Sequence, residues 1–341
     1  MNIKDVGKQL KNLGDSIKVS RRQFTVIILS VFLVGFITLG LYTYFLLGYE
    51  YAGNRSTTIN GLPKYYHPIA GEGDAKLAKP LSVVAFGKYV YVTDSGHGKL
   101  TIFTKRGALV RSVKLLKDSD CYPLGITIDD QNRIYISIEV RGFYHIMVVD
   151  AFGKFQYLFP GNSKSAAQDN QPVLNRPVGL FYRDGRIYVT DIGDQDVKVF
   201  STEGKLLVKF GRAGTREGEF MYPHGITADE NGDIYVADAN NSRVQVFDRN
   251  GKFKYFFKPN PKEPFIIPRG IAIDSLGRVH VVDLARQKVF VFTKQGKYIL
   301  SYGSGKGDSA LLYPNGIATD PDAGLIYIAD RQKDRIAVFS E

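Results

Sequence analysis

The chain has 341 residues and a formal net charge of +11, from 45 Lys plus Arg against 34 Asp plus Glu. Its 21 Tyr, 22 Phe and 35 Gly, with no Trp, describe an all-β globular protein and exclude a disordered chain. Cys121 is the sole cysteine, which excludes an intramolecular disulfide, and a lone thiol without an activating partner is a poor nucleophile.

Residues 1–23 are basic: Lys4, Lys8, Lys11, Lys18, Arg21 and Arg22 face only Asp5 and Asp15. Ile3, Val6, Leu10, Leu13 and Ile17 recur among them at helical spacing, the pattern of a short amphipathic helix on a membrane surface. From Phe24 to Leu47 there are 24 residues without a charge, and a helix of that length reaches about 36 Å, enough to span a bilayer. Tyr42, Tyr44, Tyr49 and Tyr51 sit near its far end, as an interfacial aromatic belt does. The apolar run exceeds the usual signal-peptide core and no small-x-small cleavage site follows it, so the expectation is an uncleaved signal anchor at 24–47. The positive-inside rule then puts the N-terminus in the cytoplasm and the rest outside, in a single-pass protein of a bacterial cell membrane. Because part of the positive charge belongs to this tail, the excess does not by itself point to nucleic acid, which is not an expected partner. Residues 48–63, with Gly53, Asn54, Ser56, Thr57, Thr58, Gly61 and Pro63, read as a linker.

Residues 64–341 hold a repeat. Pro80, Pro123, Pro177, Pro223, Pro268 and Pro314 open six copies spaced by 43, 54, 46, 45 and 46 residues, a period that marks a propeller or solenoid. The fourth copy runs Pro223-His-Gly-Ile, then Ile234-Tyr-Val-Ala-Asp238, then Arg243-Val-Gln-Val-Phe247, then Phe253–Phe256. Each run is short, β-branched or aromatic and bounded by Gly, Asn or Asp, so each copy supplies four strands. The result is a six-bladed β-propeller of four-stranded blades, preceded by one transmembrane helix. The sixth copy stops after its third strand, and residues 64–69 are expected to provide the missing outer strand of the last blade, giving 276 residues or 46 per blade from Lys64 to Phe339.

The Pro-x-Gly-Ile, Ile-Tyr-Val-Ala-Asp, Asn-x-Arg and Val-Phe elements of the fourth copy resemble the NHL repeat family, over about four-fifths of the chain. Blade one departs from the pattern with Ser82 in place of the glycine, and blade two with Ile138 in place of the aspartate. The recurring Pro, Gly and Asp read as architecture: the glycine allows close backbone approach, and the aspartate binds backbone N–H groups of the following loop or the basic residue five positions on.

Function is then expected in the slots that vary between blades on one face. The innermost slots follow each proline and include His224, Arg269 and Asn315; the next ring includes His97, Asp194, Asn241, Arg286 and Lys333. Blade three looks acidic there (Asp191, Asp194, Asp196) and blades five and six look basic. That charge pattern suits a protein or an anionic ligand, bound by a monomeric propeller. The insert at 161–175 lengthens the loop into blade three. A zinc site at His224 and His97, or calcium at Asp191, Asp194 and Asp196, lacks the usual ligand number or spacing, so no cofactor is expected. The reading is a membrane-tethered extracytoplasmic binding or scaffold propeller, and an enzyme is not favoured. The alternative is a metal-dependent hydrolase or lyase centred on His224, since the family's wider fold class, which resembles this chain, includes the amidating lyase and lactonase-like enzymes.

Overall fold

The computed structural model describes residues 61–117, 120–160, 174–257 and 262–341, all within the unit Ile59–Glu341. The basic tail, the apolar run 24–47, most of the linker and nearly all of the insert at 161–175 lie outside the described residues. Among the described residues no helix is long and apolar enough to cross a membrane.

The alternating runs of the repeat form strands, and these pair into six antiparallel sheets of four. Five sheets take four consecutive strands each. The sixth is assembled from both ends of the repeat region: Pro314–Asp320, Leu325–Asp330, Arg335–Ser340 and, last, Lys64–Ile69. Lys64 stands opposite Ser340 and Ile69 opposite Ile336. The ring also closes at its hub. The inner strands are Ser82–Phe86, Tyr122–Ile128, Pro177–Arg183, Pro223–Ala228, Pro268–Ile273 and Pro314–Asp320. Each packs against the inner strands of both neighbouring blades, the sixth against the first included. Closure leaves no blade face without a neighbour.

Between adjacent blades lie six apolar clusters. The phenylalanine that falls nine residues after the motif aspartate is central to them: Phe103, Phe200, Phe247, Phe292 and Phe339 are at most 1% exposed. A side chain of that size buried from water stabilises by about 1.5–3 kcal/mol, and one in each of five blades explains why the position recurs.

The motif glycine is required by the spacing of the blades. A Cβ on Gly125, Gly179, Gly225, Gly270 or Gly316 would meet the carbonyl oxygen of Val178, His224, Arg269, Asn315 or Leu81 at 2.1, 1.9, 2.1, 2.4 or 2.7 Å. Each of those carbonyls belongs to the variable slot of the next blade. Hydroxyls fix three of the slots further: Thr93 donates to Leu124 O at 3.0 Å, Ser137 to Val178 O at 2.7 Å and Thr190 to His224 O at 2.6 Å.

The motif aspartates bind a second loop besides the one expected. Their common bond is to the segment entering the blade, just before the motif proline. Asp94 accepts from Ala78 N–H at 2.8 Å, Asp238 from Met221 at 2.7 Å and Asp330 from Leu312 at 2.7 Å. Asp191 takes both Asn175 and Arg176 at 2.8 Å, and Asp283 takes Ile266 at 2.7 Å. The entering backbone has no strand partner for these donors, so the carboxylate satisfies them. Asp191 and Asp283 also hold the following loop, through Gly193 at 3.0 Å and Ala285 at 3.1 Å. The basic residue five positions on pairs with the aspartate in blades four and six, Arg243–Asp238 and Arg335–Asp330, both at 2.8 Å. Lys288 turns instead to Glu263 at 2.9 Å.

Candidate functional site

With the slot backbones fixed by neighbouring blades, the six inner strands enclose a central channel of about 570 Å³, within the range of small-molecule pockets. Its walls are lined by strand residues such as Val84, Ile126, Leu180, Ile226, Ile271 and Ile317. At the end where the strands begin, the lining divides by blade. Leu81, Leu124 and Val178 of blades one to three are apolar, whereas His224, Arg269 and Asn315 of blades four to six are polar. Tyr122, Leu284 and Arg331 complete that end. At the other end Arg183 donates to Ala228 O at 2.7 Å.

Among the described residues none lining the channel is acidic. Arg331 extends from blade six towards Tyr122 of blade two, with the guanidinium 3.5 Å from the phenol oxygen. The Nε atoms of Arg269 and Arg331 are both buried and have no hydrogen-bond acceptor. Burial lowers the Arg269 pKa from its ordinary value, and the like charge of Arg331 lowers it further. His224 is held well below the ordinary histidine range by burial and then by the positive charge of Arg269. It is therefore a neutral imidazole at pH 7.

The other five residues expected on this face are engaged elsewhere. His97 Nδ1 lies 2.9 Å from Asp94. Asp194 accepts from Lys198 at 2.7 Å and from Asn175 at 3.0 Å. Asn241 donates to Gly214 O and to Asp238, both at 2.9 Å. Arg286 Nε donates to Pro264 O at 3.2 Å, and Lys333 Nζ to Gly307 O at 3.1 Å and Ala310 O at 2.7 Å. None of the five lines the channel. The structure thus brings together His224, Arg269 and Asn315, and not the outer ring.

The acidic look of blade three is internal. Lys198 is 0% exposed, and its ammonium stands 3.0 Å from Asp191, 2.7 Å from Asp194 and 2.7 Å from Asp196. Burial opposes its charge, but hydrogen bonds to Asp194 and Asp196 and the charge of Asp191 prevail and raise its pKa. These three aspartates are the one group among the described residues whose ligand atoms lie close enough together to hold a metal ion. A divalent cation would have to displace the ammonium that already bridges them. Among the described residues His224 belongs to no group of three or more such ligands.

Arg331 and Tyr122 were not predicted to line the channel, though a signal for them exists. Arg331 directly follows motif residue Asp330, and Leu284 follows Asp283 in the same way; Tyr122 directly precedes Pro123. Cys121, beside it, is buried, and burial pushes its thiol pKa up.

The family model for the NHL repeat matches residues 220–247, and a model described as a 6-bladed beta-propeller matches residues 268–340. The chain contains an NHL repeat. The ring of six sheets makes the described residues a six-bladed propeller, and one of its blades carries this repeat. The human NHL repeat-containing protein 3 is 28% identical over 183 residues, covering 50% of this chain and 51% of that protein. Protein brain tumor of Drosophila melanogaster is 30% identical over 123 residues, 36% of this chain and 8% of the fly protein. The chain therefore spans about half or less of the length of these relatives. Among solved structures, a streptogramin B lyase matches at a TM-score of 0.57 and 13% identity, over 81% of this chain and 98% of that one. A catalytically inactive virginiamycin B lyase from Staphylococcus aureus with quinupristin matches at 0.55 and 19% identity, over 79% and 83%. At these identities the likeness to the propeller is one of fold.

Proposed function

We propose that this NHL propeller is a binding module that recognises a protein or an anionic ligand on the face where its inner strands begin, and that it is tethered to the outside of a bacterial membrane by residues 24–47. The observation that carries the reading is the channel mouth, where the Nε atoms of Arg269 and Arg331 are buried without an acceptor and, among the described residues, no acidic side chain lines the wall. Buried unpaired charge is costly to a fold, so its retention at a concave opening favours a ligand of opposite sign. The basic tail and the uncharged run support the tether. The alternative of a metal-dependent hydrolase or lyase at His224 has less behind it, because the imidazole has Arg269 for a charged neighbour rather than further metal ligands.

The test is partner capture by the full chain. Charge reversal at Arg269 and Arg331 should abolish capture, while Lys88→Glu, on an exposed turn at the far end of the blades, should leave it unchanged. Lys105 is unsuitable as a control, because it is paired with buried Asp320 at 2.5 Å. Equal loss in both variants would refute the assignment of the face. Protease treatment of intact cells tests the tether: digestion of the propeller supports it, and full protection opposes it.

A further inference from the structure

The channel mouth has two halves of opposite character, and together they specify more than a basic surface does. One half is made by His224, Arg269 and Asn315, with Arg331 beside them. The other is made by Leu81, Leu124 and Val178 at the equivalent positions of blades one to three. We infer that the channel binds a small organic carboxylate with an apolar body, the carboxylate held between Arg269 and Arg331 and the body against Leu81, Leu124 and Val178. This rests on the binding reading above and names the chemistry of its ligand.

Three features support the assignment. First, the two guanidinium groups each keep a buried Nε–H without an acceptor, and a planar guanidinium matches a carboxylate through two parallel N–H···O bonds. A carboxylate between them supplies the missing acceptors and removes the repulsion that lowers the Arg269 pKa. Second, His224 stays neutral beside them, so its imidazole can take part in a hydrogen bond without adding a third charge. Third, the backbones of the site are rigid: Gly225 lies against Arg269 O, and the Thr190 hydroxyl donates to His224 O. A site fixed before binding loses little conformational entropy on binding. The apolar half and the channel below it provide room for a body of several carbons, because the volume of about 570 Å³ is lined mainly by aliphatic side chains. A highly charged polyanion has no use for that half, and a neutral apolar molecule leaves the arginines unpaired.

The test is isothermal titration of the full chain with hexanoate, and with 1-hexanol as the neutral match. N-Acetylleucine and its amide form a second arm that stands for the free C-terminus of a protein. Hexanoate binding that hexanol does not reproduce, weakened about tenfold or more in Arg269→Met and in Arg331→Met, supports the site. Preference for N-acetylleucine over both hexanoate and the amide supports it as well, and identifies the source as a chain end. Arg269→Met removes an uncompensated buried charge, so this variant should fold and should melt higher than the wild type without ligand. That shift is read independently of binding. Equal binding of hexanoate and hexanol, or of hexanoate to wild type and both arginine variants, overturns the inference, as does a lower melting temperature for Arg269→Met. If neither carboxylate binds while charge reversal at the mouth still abolishes partner capture, the ligand assignment falls and the binding face stands. If hexanoate binds as stated and capture is indifferent to the mouth, the carboxylate site stands and partner recognition by that face falls.

Discussion

Lys198 in blade three and Arg269 in blade five are both cations taken largely out of water on the same side of one ring. Lys198 is surrounded by three carboxylates within 3.0 Å, and its charge is reinforced. Arg269 has none among the described residues that line the channel, and its charge is weakened by burial and by Arg331. The contrast separates two uses of buried charge. Where the counter-ions are built in, the charge serves the fold; where they are missing at an opening, the fold carries a cost that a ligand removes. Residue type alone does not distinguish them.

The comparison can be broken from the compensated side. Lys198→Met leaves three carboxylates crowded without a cation and should destabilise the propeller by about 3–5 kcal/mol, read as a fall in the midpoint of chemical denaturation. Gly225→Ala disturbs the frame that holds Arg269 in place, since its Cβ would meet Arg269 O at 2.1 Å. Overpacking of that kind costs about 1–3 kcal/mol, again read by denaturation. From the uncompensated side, Leu284→Glu would give the channel its own carboxylate. It should raise stability by about 1 kcal/mol, the scale of a charge-assisted pair, and abolish hexanoate binding. Lower stability in this variant would mean that Arg269 and Arg331 already have a counter-charge.

The smallest effect is pH dependence. The fold holds His224 and His280 below the ordinary histidine pKa, chiefly by burial. As pH falls from 7.5 through 6.5 the unfolded chain takes up protons at these positions before the folded one does, so stability falls with pH. His224→Gln should flatten that slope between pH 7.5 and 5.5 in melting-temperature measurements, and an unchanged slope would show that His224 is not held neutral.

The ring was legible in the sequence because its causes repeat. The proline recurs in all six blades, and the glycine against the next blade and the buried phenylalanine in five each, since each blade meets the same kind of neighbour. The short sixth copy and the strand-like run at Lys64–Ile69 pointed to the closure that the pairing with Arg335–Ser340 displays. The site was legible only in part. His224, Arg269 and Asn315 could be placed at the hub from their offset to the proline. The outer ring could not, because whether Arg286 or Lys333 faces a partner or bonds a nearby carbonyl depends on loop geometry that no repeat encodes. Blade three misled for a related reason: Asp191, Asp194 and Asp196 are close in sequence, but that Lys198, two residues after Asp196 on the same strand, is buried with its ammonium among all three is a matter of folding. Arg331 shows the reverse case, a residue with a regular offset whose reach across to Tyr122 no spacing reveals.

The most direct test of the channel as a carboxylate site is a crystal structure of the full chain grown with hexanoate. The account predicts a carboxylate between the guanidinium groups of Arg269 and Arg331, with the alkyl chain against Leu81, Leu124 and Val178. Hexanoate bound only elsewhere, or an acidic side chain of the protein already paired with Arg269 and Arg331, would contradict it.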